Sequence, residues 1–162
     1  TFYNAIHALP ASLAVVGPTA TAILTAAQIS GALEVLLDVG NGAAAAQTYT
    51  TDTAANIIAN LQNAVATAQK ANVGGFSSAL GDTPPLGVPN LFNVSWTLTI
   101  SNQGTTAAST LSGGTGVTIV SNNAGLTSGA GNLTLGAPNA PVMSRWVCTV
   151  TGAASITMNR VQ

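Results

Sequence analysis

The chain has 162 residues, of which only 7 are charged, and its formal net charge is −1. Its charged share of 4% is far below the roughly one quarter that is typical of soluble domains. The three fixed cations, Lys70, Arg145 and Arg160, are too few and too scattered to follow a phosphate backbone, so the composition argues against nucleic-acid binding. A freely diffusing protein normally mixes charges over its surface to stay dispersed. The composition therefore indicates a subunit that neighbours cover in an assembly, rather than an enzyme.

Residues 1–24 are apolar, contain Pro10 and Pro18, and follow neither a helical nor a strand period. They predict an extended N-terminal contact arm that lies either on this domain or on a neighbouring subunit. The side chains expected to make assembly contacts are Phe2, Tyr3, Ile6, Leu9, Leu13, Val15 and Val16. Residues 11–37 are also apolar, but glycine, proline and hydroxyl residues interrupt them, so no membrane span is expected.

Residues 25–162 are predicted to form a single β-rich domain. Near its start, Thr25 can cap a short helical turn through Gln28, which Gly31 ends. The run Leu33–Val39 then predicts a short buried strand.

A longer amphipathic helix is predicted over about residues 52–70. Apolar residues recur there at helical spacing, namely Ala54, Ile57, Ile58, Leu61, Val65 and Ala68. Asp52 lies at the positive end of the helix as a cap, and Lys70 lies near its negative end. Residues 71–91, with several prolines and glycines, predict a connecting loop.

Antiparallel strands are predicted over residues 92–162. Strict alternation places one set of side chains on a core face: Phe92, Val94, Trp96, Leu98 and Ile100. Short strands are expected at Thr118–Val120 and Leu133–Leu135. A final pair, joined by a tight turn at Gly152-Ala153, buries Trp146, Cys148, Val150, Ile156 and Met158. The expected fold is mainly β with a minor helical part, an antiparallel sandwich or barrel preceded by the amphipathic helix and the arm.

No catalytic, cofactor or metal site is predicted from the residue pattern. His7, the only histidine, lies in the arm, and Cys148 is expected to be a small buried residue in a strand. Gly113–Gly116 lacks the lysine and helix of a phosphate loop, so it predicts a turn. Trp96 and Trp146 share the parity of the apolar set, which predicts core packing rather than a sugar-binding platform.

Five segments together resemble small structural proteins of tailed bacteriophages. They are Thr25–Ile29, Thr51–Ile58 with the following Leu61, Trp96–Asn102, Gly113–Ile119 and Val150–Thr157. The resemblance covers about residues 25–162 and is to capsid decoration (cement) and head-fibre proteins.

The resemblance implies a non-enzymatic virion structural protein on the capsid surface, a trimer that binds and stabilises the lattice of the major capsid protein. No cofactor, nucleic acid or membrane is expected as a partner. Two alternatives stay open: a head or tail fibre or spike domain that contacts the host surface, and a bacterial pilin or adhesin module. Copy number per particle would separate a cement protein from a fibre.

Overall fold

A computed structural model describes residues 12–16, 21–37, 47–65, 90–102, 109–121 and 142–161. Within these residues the strands form two sheets, one of six strands and one of three. Sheet A contains β1 (Ser12–Val16), β3 (Ala32–Leu37), β5 (Ser95–Asn102), β7 (Val117–Ser121), β8 (Val142–Gly152) and β9 (Ser155–Arg160). Sheet B contains β2 (Thr21–Leu24), β4 (Gln47–Thr51) and β6 (Ser109–Ser112). Helix α1 spans Ala26–Gly31, and helix α2 covers residues 54–65.

The first six strands form a parallel stack, in which the chain passes from sheet A to sheet B three times. In sheet A, β1, β3 and β5 lie side by side in that order, and in sheet B, β2, β4 and β6 do the same. Each strand is parallel to its neighbour within the same sheet. One sheet A strand, the next sheet B strand and the segment that follows make one layer. Layers one and two end in α1 and α2, and layer three ends in the turn 113–116.

The two helices begin with the same local sequence, 28 positions apart. Thr25-Ala26-Ala27-Gln28-Ile29 and Thr53-Ala54-Ala55-Asn56-Ile57 differ only in glutamine against asparagine. In each, the threonine hydroxyl accepts the N–H three residues on, at 3.3 Å from Gln28 and 3.2 Å from Asn56. Each isoleucine is fully buried. The repeat reflects equivalent places in consecutive layers, where the chain leaves sheet B and turns into a helix.

The last three strands complete sheet A in the order β5-β8-β9-β7. β8 pairs antiparallel with β5 and β9, and β7 then adds in parallel beside β9. The predicted hairpin is confirmed, but its turn is formed by Ala153 and Ala154, one residue later than predicted, because Gly152 is still part of β8. The predicted inward set of these two strands is also confirmed, since all its members are at most 2% exposed: Trp146, Cys148, Val150, Ile156 and Met158.

One core joins both sheets and both helices. Leu24, Tyr49 and Leu111 reach it from sheet B, and Ile57 and Leu61 from α2. The indole N–H groups in this core are satisfied. Trp96 donates to the Ile29 carbonyl at 2.9 Å, and Trp146 donates to Ser144 Oγ at 2.9 Å. Both tryptophans are therefore packing residues, as predicted.

The mainly β, sandwich-like class is confirmed, and the described sheets do not close into a barrel. The antiparallel prediction holds only for β5–β8 and β8–β9, because the other five described pairs are parallel. Strands also precede the amphipathic helix, which lies between β4 and β5. Alternation within a strand reports which face is buried but carries no information about the direction of its neighbour.

Part of the predicted arm is built into the domain. β1 pairs with β3 and β2 pairs with β4, so residues 12–16 and 21–24 are sheet strands rather than a separate segment. Of the two surfaces considered for the arm, these residues lie on their own domain. Residues 1–11 and 17–20 of the predicted arm lie outside the described residues.

Two predicted strands begin or end differently from the expectation. β3 is described over Ala32–Leu37, and positions 38 and 39 lie outside the described residues. β5 starts at Ser95, because Asn93 adopts a left-handed φ of 63° and the preceding Phe92 is 57% exposed in a turn. Phe92 is thus not a core residue. The end of the predicted helix and most of the predicted loop, residues 66–89, lie outside the described residues, and so does the predicted strand Leu133–Leu135.

Candidate interaction surface

The predicted contact residues fall into two groups. Phe2, Tyr3, Ile6 and Leu9 lie outside the described residues. Leu13, Val15 and Val16 belong to β1, where they stand in register with Glu34, Leu36 and Leu37 of β3. The structure therefore places these three residues on an outer strand of sheet A.

Cys148 is sealed in the core between two strands. It stands in register with Trp96 on one side and Met158 on the other, and it is fully buried. Burial raises the pKa of the thiol to about 12, so the nucleophilic thiolate is not formed near neutral pH. Within the described ranges, no group of three or more His, Cys, Asp or Glu side chains could hold a metal ion. His7 lies outside them.

Asp52 connects two helix starts. Its Oδ1 accepts from the Thr53 N–H at 2.7 Å and from Asn56 Nδ2 at 2.8 Å, and its Oδ2 accepts from the Ala26 N–H at 3.1 Å. The pKa of Asp52 lies below its ordinary value of 3.8, chiefly because the Asn56 amide donates to the carboxylate; partial burial opposes this effect. The predicted position at the positive end of α2 is right, but the side chain that caps this helix belongs to Thr53. Asp52 is thus a structural group of the stack.

Residues 113–116 form a turn, as the sequence predicts. This turn also connects layer three to layer two. The Thr115 carbonyl accepts the Ala54 N–H at the start of α2 at 2.9 Å, and the Gly114 N–H donates to Thr51 Oγ1 at 2.8 Å. Gly116 has φ +80°, which favours glycine. These contacts hold the turn against the protein's own backbone.

The outer face of sheet A lies on the side of the sheet opposite the core. On strands β5, β7, β8 and β9 its exposed and half-buried side chains are mostly hydroxyls, and we call this surface the hydroxyl face. Its hydroxyl members are Ser95, Thr97, Thr99, Thr118, Thr149, Thr151, Ser155 and Thr157. On the opposite side of the same strands lie the buried core residues. The face therefore follows from the alternation of hydroxyl and apolar residues along each strand.

Strand register aligns four of these hydroxyls in one row. Ser95 pairs with Thr149, Thr149 with Thr157, and Thr157 with Thr118, so the row crosses four strands. Neighbouring strands are about 4.8 Å apart, which sets the spacing of the row. Ser95 Oγ and Thr149 Oγ1 are 2.7 Å apart and share a hydrogen bond. A hydroxyl group such as that of Thr157 or Thr118 can both donate a hydrogen bond to a partner protein and accept one from it.

The next two rows show how little charge this surface carries. Thr97, Val147, Asn159 and Val120 form the second row. The third contains Glu34, Thr99 and Arg145, with the two opposite charges on either side of Thr99. Two residues along β8 from Arg145, Met143 is 66% exposed. The face thus combines hydroxyls with a few apolar side chains and one pair of opposite charges.

The hydroxyl-rich outward faces of single strands were visible in the sequence, but the rows were not. A row depends on the order and register of β5, β8, β9 and β7, which local alternation does not specify. No family model, curated protein or solved structure matches this chain. Among the described residues, no helix is both long and apolar enough to cross a membrane.

Proposed function

We propose that the chain is a non-enzymatic virion structural protein, a capsid decoration (cement) subunit that binds the lattice of the major capsid protein at the capsid surface. It acts as a homotrimer, without cofactor, nucleic acid or membrane. The observation that carries this proposal is the hydroxyl face, a broad sheet surface with almost no charge. The phage-protein resemblance points to the same class.

The energetics of burial favour such a face as a protein contact. Burying an ionised group without a partner costs several kcal/mol or more, whereas a hydroxyl can exchange a water hydrogen bond for one to a partner. Apolar residues such as Met143 add contact area at about 25 cal/mol per Å² of buried surface. Many identical contacts on one particle then add stability that a single contact does not supply.

The non-enzymatic part of the proposal is supported by the surroundings of the reactive groups. Cys148, the thiol of the chain, lies in the core with its pKa raised, and Asp52 is used to join two helices. Among the described residues, neither side chain stands beside one that would activate it as a nucleophile or base.

The test is binding of the purified chain to capsid shells that lack it, measured by co-sedimentation. Thr97 is exposed on β5 in the second row of the hydroxyl face. We expect Thr97→Lys to weaken binding by at least about tenfold, because the ammonium would be desolvated in the contact. Ala55→Lys is the matched control, since Ala55 is exposed on α2 and is not part of the hydroxyl face. Equal binding by both variants would contradict the proposed surface.

The second candidate is a head or tail fibre or spike domain. The parallel stack favours it, because each layer adds one strand to each sheet along one direction and such stacks extend readily. The number of copies per particle distinguishes the two functions. A copy number that follows the number of capsid subunits supports the cement protein, and a small number at one position supports the fibre.

A further inference from the structure

Within the described residues, β1 and β7 are the two outermost strands of sheet A. In the described part of the chain, no strand lies beyond β1 or beyond β7. Each of these strands has five residues, Ser-Leu-Ala-Val-Val and Val-Thr-Ile-Val-Ser, without a charge, a proline or a glycine. Natural edge strands are commonly protected from pairing with another chain by charged residues, proline, a bulge, or a helix or loop that covers the edge. The register shift between β1 and β3 places its extra residue, Leu33, in β3 rather than in β1.

Among the described residues, the apolar side chains of β7 are less buried than those of the neighbouring strand β9. Val117 and Ile119 are half-buried, although their register partners on β9, Ile156 and Met158, are at most 1% exposed. One more strand beside β7 would bury the remaining apolar surface of Val117 and Ile119. The edge therefore offers backbone hydrogen bonds and apolar area together.

The two edge strands run in the same direction. β1, β3 and β5 are mutually parallel, β8 reverses, and β9 and β7 return to the first direction. A rotation axis along the strands therefore brings β7 of one copy beside β1 of the next in parallel. Such a head-to-tail contact forms a ring when the rotation between copies closes, and the ring then occupies both edges. A two-fold contact of β1 with itself would be antiparallel and would leave β7 open.

We propose that β1 of one copy pairs in parallel with β7 of the next copy, so that sheet A continues around a closed ring of subunits. The inference rests on the self-association part of the proposed function and names the surface that forms it. Parallel pairing is already the arrangement of each edge with its present neighbour, β1 with β3 and β7 with β9.

Thiol cross-linking of the isolated, full-length chain tests this arrangement. Val15→Cys marks β1 and Thr118→Cys marks β7, while the buried Cys148 leaves a low background. With a short bismaleimide, the double variant should give covalent dimers and a closed trimer, and each single variant should stay monomeric on denaturing gels. Ala55→Cys with Thr118→Cys is the control for random collision, and we expect about tenfold less product from it at equal dilution.

Each other outcome contradicts a stated part of the inference. Cross-linking of Val15→Cys alone would show the two-fold contact instead of the ring. Absence of product from a chain that light scattering shows to be trimeric would reject the edge contact but keep self-association. A monomer by light scattering would reject both, while capsid binding would remain to be judged by co-sedimentation.

A second variant covers the case in which a cysteine in β1 prevents folding. Thr118→Lys places a charge on an exposed position of β7 and should convert the assembled chain to monomer at the same concentration. Thr151→Lys carries the same change on an exposed position of β8, away from either edge, and should leave the mass unaltered. Retention of the assembled mass by Thr118→Lys would overturn the proposal.

Discussion

The C-terminal hairpin of β8 and β9 and the parallel stack of β1 to β6 belong to one core but are held in different ways. In the hairpin, inward side chains alternate with outward ones, and the inward set is large and fully buried. In the stack, short strands of four to eight residues are joined where each layer leaves sheet B. There, Asp52 bonds to the start of α1, and Thr115 bonds to the start of α2.

This difference indicates where each region is sensitive. The hairpin depends on the volume of its side chains, so it should respond to cavities. The stack depends on close approach between backbones, so it should respond to added atoms at a junction and to loss of a single polar group. Substitutions chosen from both regions can test this contrast.

The largest effect is expected in the hairpin. Trp146→Ala should destabilise the fold by about 3–5 kcal/mol, because Trp146 is 1% exposed and its removal opens a cavity. Unfolding in urea, followed by circular dichroism, gives the difference. Phe92→Ala is the control of similar chemistry, and its effect should stay within about 0.5 kcal/mol because Phe92 is 57% exposed. Similar losses for both would contradict the assignment of core and surface.

A smaller effect is expected at the junction between layers two and three. A Cβ added to Gly114 would overlap the Thr51 carbonyl oxygen and lie 2.6 Å from that of Asp52. Gly114→Ala should therefore cost about 1–3 kcal/mol, since the backbone of the stack must shift to accept it. Gly152→Ala makes the same change in the hairpin, where the nearest atoms are an ordinary 3.4 Å away, and should be nearly neutral. Equal losses of stability in the two variants would contradict the view that the stack is more sensitive to added atoms than the hairpin.

The hairpin could be predicted from sequence because its information is local. Alternation in Arg145–Val150 and Ser155–Met158 specifies the buried face, and the intervening turn specifies antiparallel pairing. The capped turn at Thr25 and the start of α2 also follow from local signals. The same local rule was wrong at Phe92, where the left-handed Asn93 interrupts a pattern that the residue types continue.

The stack and the hydroxyl rows could not be predicted in this way. The partners of β1 to β6 are distant in sequence, and parallel neighbours need long connections that carry no turn signature. One signal was available, the repeat of Thr-Ala-Ala-Gln-Ile as Thr-Ala-Ala-Asn-Ile, which marks equivalent places in two layers. The hydroxyl rows needed the order of β5, β8, β9 and β7, which only the tertiary structure supplies.

The smallest loss of stability is expected from removing the charge of Asp52, which lies between the starts of α1 and α2. Unlike the losses above, it should depend on pH. The folded chain lowers the pKa of Asp52, mainly through the hydrogen bond from Asn56. A carboxyl with a lowered folded pKa stabilises the fold above its ordinary pKa and loses that contribution as the pH falls through the folded value. The contribution should therefore be complete at neutral pH and disappear in acid below the ordinary value of 3.8.

Asp52→Asn should lower stability by about 1 kcal/mol at neutral pH, because an amide cannot supply the negative charge that favours both helix starts. The urea midpoints of the variant and the native chain should then converge as the pH falls below 3.8. Glu34→Gln is the control for loss of one carboxylate at neutral pH, since Glu34 lies on β3 away from either helix start. A gap between Asp52→Asn and the native chain that stayed constant in acid would mean that shape rather than charge matters at this junction. The parallel stack would then depend, like the hairpin, on packing alone.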